Sequence, residues 1–542
     1  MTSTDLTTGP NQGPASRANG GQEKAHRGTR SALRRPGWVA TLFVLPYLLL
    51  SLAWLGSNPP GAAPDEYSHL IKGLAIARLD IGVPFTGTLK SPGPLQVRNA
   101  SITRMVDIPA RLWPAGYMCF AFKSDVTADC QPAPRDVAGD VRTGTEVGAY
   151  PPFAYLPIGL ATRAATTPAE AFTLGRIVVL IESMALFWLA VWHLVRWLGP
   201  RALLGVVVAV TPMAVFCAGI LNTSGLEIFG ALGVASVVAV YLRRPESLAK
   251  RRTLAVLVAA GSGLVLSRQL GIITMGALVL LLLGAGAWRP VWEQIRRRSL
   301  PMIATVSLLG IETVAVIIWE LRYDHPALLG PWVSRTSVHG LADTWLNIAY
   351  EGVGRFGWLD VLMPTWITAS WLVAAAALVL WGLARGGWRD RLIIVGMFLG
   401  LGLLATVTYS RVFFGVGATM QGRHMLPFAV FLPVFAGIIV TDRINRRTFA
   451  RLMVPLALVA SAAQFYALYL NGKRYAVGLN SALTWFVPDA KWSPPFGWLP
   501  WLTLGLLACV AMVAVWVQLG RGDVGAGDDD EDVSSTSAMA ST

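Results

Sequence analysis

Charged residues are scarce in this chain of 542 residues: Asp, Glu, Lys and Arg make up 14% of it, against about a quarter in soluble domains. Hydrophobic residues reach 54%. Apolar runs of about 20 residues, long enough to cross a bilayer as a helix, recur along the chain. The shortage of charge therefore argues against a string of soluble domains and predicts an all-α integral membrane protein.

Cysteine is also rare. The four cysteines are too few for a disulfide framework, no Cys/His spacing is typical of a zinc site, and no P-loop is present. Cys119 and Cys130 share one large polar segment, where a disulfide is allowed if the segment is extracytoplasmic. Spacing alone leaves that bond open.

Acidic residues number 31 against 45 Lys and Arg, which gives a net charge of +14. A surplus of this size can indicate nucleic-acid binding, but the cations are concentrated in short loops between apolar runs. Such loops occur at 243–252, 289–298, 385–391 and 443–451. This distribution follows the positive-inside rule and predicts contact with membrane lipids, with no nucleic-acid partner.

The apolar runs predict about twelve spans, with both termini cytoplasmic. We place them at 37–56, 171–195, 201–221, 224–242, 253–267, 270–287, 301–320, 367–385, 391–408, 425–441, 450–470 and 498–518. The ends, 1–36 and 521–542, are of low complexity and are predicted to be disordered. Three long outer segments remain, at 57–170, 321–366 and 471–497, so we expect the chemistry to face the extracytoplasmic side.

The first outer segment contains two candidate interfacial helices. "DEYSHLIKGLAIARLD" (65–80) carries apolar residues at helical spacing, with Asp65 placed to cap it. "YPPFAYLPIGLATRAA" (150–165) begins with Tyr and Pro, which suit the headgroup level. Both helices are predicted to lie along the membrane surface.

Asp65, Glu66 and His69 share one helical turn at the outer end of the first span. Carboxylates and imidazole are the usual proton acceptors in general-base catalysis. They also bind divalent metals such as Mg²⁺ or Mn²⁺. The alternative is that the two acidic residues only stabilise the helix N-terminus through its dipole.

Several cations lie on the outer side, where the positive-inside rule disfavours them. They are Arg268, Arg355, Arg411, Arg423, Lys473 and Arg474. Beside a carboxylate pair, Arg and Lys suit a lipid-linked phosphate, because Arg offers paired donors and Lys a point charge. Contact with lipid headgroups is the alternative for each of them.

The order of these motifs resembles the GT-C superfamily of membrane glycosyltransferases, which use polyprenyl-phosphate-linked sugars. The chain looks like a bacterial multi-spanning family within it. The pieces that carry the resemblance are "PPGAAPDEYSH", "YPPFAYLP", "LNTSGLE", "GRFGWLDVLMP", "QGRHMLP", "KRYAVG" and "WSPPFGW". The resemblance implies a GT-C-like domain over 37–520 in a bacterial plasma membrane.

The resemblance also implies roles. Asp65 is the expected catalytic base, with Glu66 as its partner or as a metal ligand together with His69. Arg423 is the first choice for the donor phosphate, followed by Arg268, Lys473 and Arg474. Substrate contacts are expected from His69, His424, Trp358, Asp360, Gln421 and Asn222. The expected reaction is an inverting transfer of a hexose or pentose to a cell-envelope glycan, as in polysaccharide biosynthesis.

Two alternatives stay open. A flippase or transporter of lipid-linked sugars is favoured by Glu182 and Glu312, which lie inside predicted spans. A glycan ligase or polymerase would use the same lipid-phosphate chemistry. The sequence leaves the sugar, the acceptor and the oligomeric state open.

Overall fold

The computed structural model describes residues 35–87, 94–323, 338–408 and 421–524. Most of the terminal segments predicted to be disordered, together with Arg411, lie outside these ranges. Within them the chain is largely helical, in agreement with the predicted fold class, and two small sheets are added.

Nineteen α-helices and five strands are found in the described ranges. The helices are α1 Pro36–Ser57, α2 Glu66–Ile76, α3 Pro94–Ile102, α4 Tyr155–Thr162, α5 Pro168–Leu198, α6 Leu204–Ala209, α7 Pro212–Ala218, α8 Ser224–Arg243, α9 Arg251–Val265, α10 Gln269–Gly284, α11 Arg289–Arg296, α12 Leu300–Arg322, α13 Val338–Gly354, α14 Thr365–Arg385, α15 Trp388–Thr408, α16 Leu426–Ala429, α17 Phe431–Thr441, α18 Arg446–Val477 and α19 Trp498–Val524. The strands are β1 Val83–Pro84, β2 Arg104–Pro109, β3 Asp140–Thr145, β4 Arg355–Phe356 and β5 Val361–Leu362.

Eight helices in the described part of the chain are long and apolar enough to cross a membrane: α1, α5, α8, α12, α14, α15, α18 and α19. Two bent pairs raise the number to ten if each counts as one span. One pair bends by 85° between residues 209 and 212, and the other by 95° between residues 284 and 289. The segments predicted at 253–267 and 425–441 are shorter helices. The predicted count of twelve is therefore not confirmed.

Close packing of small residues and aromatic rings holds the helices together. The ring of Phe43 in α1 stacks on Trp516 in α19 and meets the edge of Phe187 in α5, with centroids 6.1 Å apart in both pairs. In α6, a Cβ atom on Gly205 would overlap the backbone of Pro433 in α17. Only glycine allows this crossing, as is common between membrane helices.

The segment 57–170, which the sequence predicts to be the first outer segment, folds over α2 in its described residues. Strands β1, β2 and β3 form an antiparallel sheet in that order, with Val106 opposite Thr143. The sequence did not predict this sheet. The predicted helix is present as α2, but its polar residues Ser68, His69 and Lys72 are buried like its apolar ones. The expected exposed polar face is therefore absent, because the sheet and α4 cover it.

Cys119 and Cys130 form a disulfide in the same segment, with their Cα atoms 6.0 Å apart. The bond that the spacing left open is present. It closes a short loop whose backbone carbonyls contact α18, as described below.

Candidate active site

Asp65 lies between α1 and α2 with its backbone in the left-handed region, at φ 65° and ψ 0°. Side chains other than glycine rarely adopt this conformation, which costs of order 1 kcal/mol. The carboxylate makes no capping bond to α2, so the prediction of an N-cap bond is wrong. Instead its side chain is 42% exposed. The fold therefore keeps Asp65 in a strained backbone conformation with its carboxylate partly exposed.

The partner of this carboxylate is Arg423. Its Nη2 donates to Asp65 Oδ2 at 3.2 Å, although the two residues are 358 positions apart. Arg423 is 4% exposed, and its Nε and Nη1 have no hydrogen-bond partner among the described residues. A buried guanidinium with free donors beside an exposed carboxylate is suited to an anionic ligand.

The turn Gly422–His424 places Arg423 against α13. The amide of Gly422 donates to Glu351 Oε2 at 2.9 Å. A Cβ atom on Gly422 would overlap the backbone of Gly352. This close approach of two backbones fixes the position from which Arg423 reaches Asp65.

Arg268, between α9 and α10, is the second buried cation and is 8% exposed. Its Nη1 donates to Ser224 Oγ at 3.3 Å and lies 3.7 Å from Glu227 Oε2. Its Nη2 donates to the hydroxyl of Tyr150 at 3.0 Å. Its Nε has no hydrogen-bond partner in the described ranges, so Arg268 also keeps a donor free.

His69 lies between these cations and α4. Its Nδ1 is 2.8 Å from the hydroxyl of Tyr155, and the two rings stack with centroids 5.8 Å apart. Burial lowers the pKa of His69 well below its ordinary value, and the charges of Arg268, Arg423 and Lys72 lower it further. The imidazole is therefore neutral near pH 7.

Lys72 is a member of this cluster that the sequence analysis did not select. It is buried, its Nζ donates to the carbonyl of Gly148, and it lies 5.7 Å from the ring centroid of Tyr155 and 5.4 Å from that of Trp319. Burial and nearby Arg104 lower its pKa to about 7, while the carboxylate of Glu320 opposes the shift. Its position one turn after His69 was the available signal.

Glu66 has a different environment from Asp65. It is fully buried and forms a bidentate pair with Arg176 of α5, at 2.6 Å from Nε to Oε1 and 2.8 Å from Nη2 to Oε2. The amide of Leu221 donates to Oε1 at 2.8 Å. The remaining Arg176 donors bind the carbonyls of Asn58 and Pro59. This pair ties the loop before Asp65 to α5.

The geometry does not bring the predicted metal ligands together with free donor atoms. Both oxygens of Glu66 are engaged by Arg176, and Nδ1 of His69 faces Tyr155. Within the ranges that the structure describes, no group of three His, Cys, Asp or Glu side chains is placed to hold a metal ion. As placed, Asp65, Glu66 and His69 do not fit one ion. A requirement for Mg²⁺ or Mn²⁺ stays an untested prediction.

Arg474, predicted for the donor phosphate, is fully buried. It pairs with Asp360 at 2.9 Å and donates to the carbonyls of Phe120, Lys123 and Val126 in the disulfide-bonded loop. Trp358 donates to the carbonyl of Gly61 at 2.9 Å. These residues support the segment that leads to Asp65.

Three of the other predicted residues lie beside Arg423 or Arg268, and Lys473 does not. Gln421 and His424 flank Arg423 and are half-buried. Asn222 is buried near Arg268, and its Oδ1 accepts from the amide of Ser224 at 2.9 Å. Lys473 lies half-buried next to Arg474 on α18.

Residues 48–432 match the family described as a predicted membrane protein, DUF2142, and this range is well over half of the chain. The chain belongs to the DUF2142 family. The matched range of this DUF2142 chain contains Asp65, Arg268 and Arg423 and ends before Arg474. No curated protein matches the sequence.

Two solved structures are similar to the DUF2142 chain, both of ArnT from Cupriavidus metallidurans. The structure bound to undecaprenyl phosphate is 17% identical, with 90% of this chain and 78% of that chain covered and a TM-score of 0.45. The apo structure is 16% identical, with the same coverage and a TM-score of 0.43.

An apolar cavity of about 550 Å³ lies beside the site in this DUF2142 chain. It is lined by α6, α13, α14, α15 and the segment 422–433. Gly422 belongs to this lining, so the cavity begins one residue from Arg423. The site thus combines a polar centre with an adjacent apolar space.

Proposed function

We propose that the chain is a membrane glycosyltransferase of the GT-C type. It transfers a sugar from a polyprenyl-phosphate donor to a cell-envelope glycan, on the extracytoplasmic side of a bacterial plasma membrane. One observation carries the proposal: the exposed Asp65 carboxylate is held beside Arg423, a buried guanidinium with two unpaired nitrogens. A base next to a phosphate-binding cation is the combination that this reaction needs.

In the proposed step, an acceptor hydroxyl oxygen attacks the anomeric carbon of the donor sugar. The bond between that carbon and the phosphate oxygen breaks, and its electron pair stays on the departing polyprenyl phosphate. Asp65 takes the proton of the hydroxyl. The free donors of Arg423 and Arg268 stabilise the charge that develops on the phosphate, so no general acid is required. A single displacement of this kind inverts the anomeric centre.

Glu66 and Arg474 then have positioning roles. Glu66 is committed to Arg176 and the amide of Leu221, and Arg474 to Asp360 and three carbonyls. Neither keeps a free group for substrate. We therefore assign the base to Asp65 and donor binding to Arg423 and Arg268. Lys72 adds to the positive potential around them.

The lipid part of the donor fits the apolar cavity. An isoprenoid chain needs an apolar surface that starts where its phosphate is bound, and the cavity lining includes Gly422, next to Arg423. Trp345, Trp371 and Phe398 contribute aromatic surface to its wall. Branched apolar chains pack well in such spaces.

The first experiment measures release of polyprenyl phosphate. The purified protein in lipid nanodiscs receives a panel of polyprenyl-phosphate sugars and envelope glycan fragments, with and without a chelator. Release coupled to appearance of sugar on the acceptor is the expected result. A protein that moves the lipid-linked sugar across the bilayer without releasing the phosphate would instead be a flippase. Loss of transfer with chelator would establish a need for a divalent cation.

Arg423→Gln is expected to lower kcat/KM by about 10²-fold, because a donor to the developing phosphate charge is lost. Arg423→Lys keeps one charge and is expected to recover part of the activity. Arg111→Gln, which removes an exposed arginine from the segment 57–170, is the matched control. Equal activity of Arg423→Gln and Arg111→Gln would remove Arg423 from the donor site.

The KM for the donor is expected to rise several-fold as the pH passes from 6 to 8. Lys72 has a pKa of about 7, so it is charged below that pH and neutral above it. Lys72→Met is expected to give a high KM at both pH values. An unchanged pH dependence in Lys72→Met would show that another group titrates.

The lowered pKa of Lys72 also affects stability. Between pH 7 and 10.5 the unfolded chain binds more protons than the folded one, so Lys72 makes the free energy of unfolding rise with pH in that window.

A further inference from the structure

A second cavity, of about 570 Å³ and lined largely by polar residues, lies far from Asp65. It is formed where α1 begins, α5 ends and α9 begins. Arg176, which binds Glu66, and Arg196, which lines this cavity, are 20 residues apart on α5. At 1.5 Å per residue they are about 30 Å apart, the thickness of a bilayer core. The cavity therefore lies at the opposite end of the spans from the candidate active site.

The cavity is lined by four cations: Arg196, Lys250, Arg251 and Arg252. None of them forms a salt bridge with a carboxylate among the described residues. The cavity lining contains no acidic residue. Like charges brought together without a counter-charge repel one another, so an anion in the cavity would relieve this repulsion.

Two helix ends add to the same potential. α1 and α9 both begin at the cavity, with Pro36 and Arg251 in its lining. Neither has an acidic residue in its first turn or a side-chain cap, and the residues before them are Arg35 and Lys250. Basic residues at a helix N-terminus are unfavourable, because that end carries partial positive charge. Backbone amides at a helix N-terminus, together with nearby cations, favour the binding of an anion there.

Buried and aromatic side chains give the cavity a defined wall. His193 is fully buried, and its Nε2 lies 3.3 Å from Thr253 Oγ1, which joins α5 to α9. Its Nδ1 lies near the backbone of Ser236 but makes no hydrogen bond of good geometry in the described ranges. The guanidinium of Arg196 lies 5.6 Å from the ring centroid of Trp192. The four cations that line the cavity are themselves exposed, so their charges are open to a ligand from solvent or from the lipid headgroups.

We propose that this cavity binds a phosphate group and thereby bridges the ends of α1, α5 and α9. Its source is either the headgroup of an anionic phospholipid or a free phosphate. Arg251 and Arg252 supply paired donors, and the amides at the start of α9 complete the site. The proposal is independent of the reaction proposed for Asp65.

The test compares the wild type with Arg251→Gln/Arg252→Gln by native mass spectrometry in neutral detergent. The probes are phosphatidylglycerol and phosphatidylcholine. A separate arm measures the thermal shift given by inorganic phosphate without lipid. The matched control is Arg443→Gln/Arg447→Gln, which removes two exposed arginines from a basic loop outside the cavity.

The expected result is that the wild type retains phosphatidylglycerol over phosphatidylcholine. The cavity variant should lose about 10- to 30-fold in apparent affinity, and the control should not. A thermal shift with inorganic phosphate alone, absent in the cavity variant, would identify free phosphate as the ligand. Equal retention by both double variants would overturn the proposal. Binding that appears only after deletion of 525–542 would also overturn it, because the acidic residues 528–532 would then be the occupant.

Discussion

Asp65→Asn is expected to lower kcat/KM for sugar transfer by about 10³-fold, within the range that a positioned general base contributes. Asparagine keeps the size of the side chain and can still contact Arg423, but it cannot accept the proton of the acceptor hydroxyl. The left-handed backbone at residue 65 tolerates asparagine as well as aspartate. We therefore expect Asp65→Asn to lose sugar transfer while it keeps its folding.

The measurement is single-turnover release of polyprenyl phosphate, with thermal unfolding recorded on the same samples. Asp136→Asn, an exposed carboxylate of the same outer segment, is the control and should retain full activity. Full activity of Asp65→Asn would leave Asp65 as a partner of Arg423 only and would remove the base from the proposed mechanism. Loss of both activity and folding would instead give Asp65 a structural role.

Glu66→Gln is expected to lower the free energy of unfolding by about 3–5 kcal/mol, because it leaves Arg176 as a buried charge without a counter-ion. Both residues are at most 2% exposed and are joined by two short hydrogen bonds. The amide of Leu221 would also lose its charged acceptor. This should be among the most destabilising single substitutions around the candidate active site.

The double variant Glu66→Gln/Arg176→Met should recover part of this loss, because it removes the unpaired charge as well. Asp140→Asn is the control: it breaks the pair with Arg78, which is exposed on both sides, and should have a far smaller effect. The measurement is unfolding by graded denaturant in detergent micelles. A loss in Glu66→Gln no larger than in Asp140→Asn would show that the buried pair does not hold this loop.

These two expectations separate neighbours that look alike in the sequence. Asp65 and Glu66 are adjacent acidic residues in one motif, and the family resemblance implied a part in the reaction for both. The fold gives them opposite environments: one carboxylate is 42% exposed, and the other is 0% exposed and fully engaged. The residue that decides this, Arg176, is 110 positions from Glu66 and lies inside a predicted span.

Lys72 and Arg474 show two further errors of prediction from local sequence: one residue was missed, and the other was assigned to the donor site. Lys72 was not selected from the sequence, yet the sheet over α2 buries it near His69 and the two arginines. Arg474 was assigned to the donor because it lies in an outer segment, yet it is bound to Asp360 and three loop carbonyls. Local spacing does not report which distant element covers a side chain.

The class of protein follows from the sequence, because apolar runs of sufficient length and a shortage of charge are properties of composition and order. It also located the stretch around Asp65, since a polar motif at the end of a span stands out against an apolar chain. Three features come from the folded chain: Arg423 contacts Asp65 across 358 residues, Glu66 is buried with Arg176, and α2 is covered. These depend on contacts between remote segments, whose geometry no local pattern encodes.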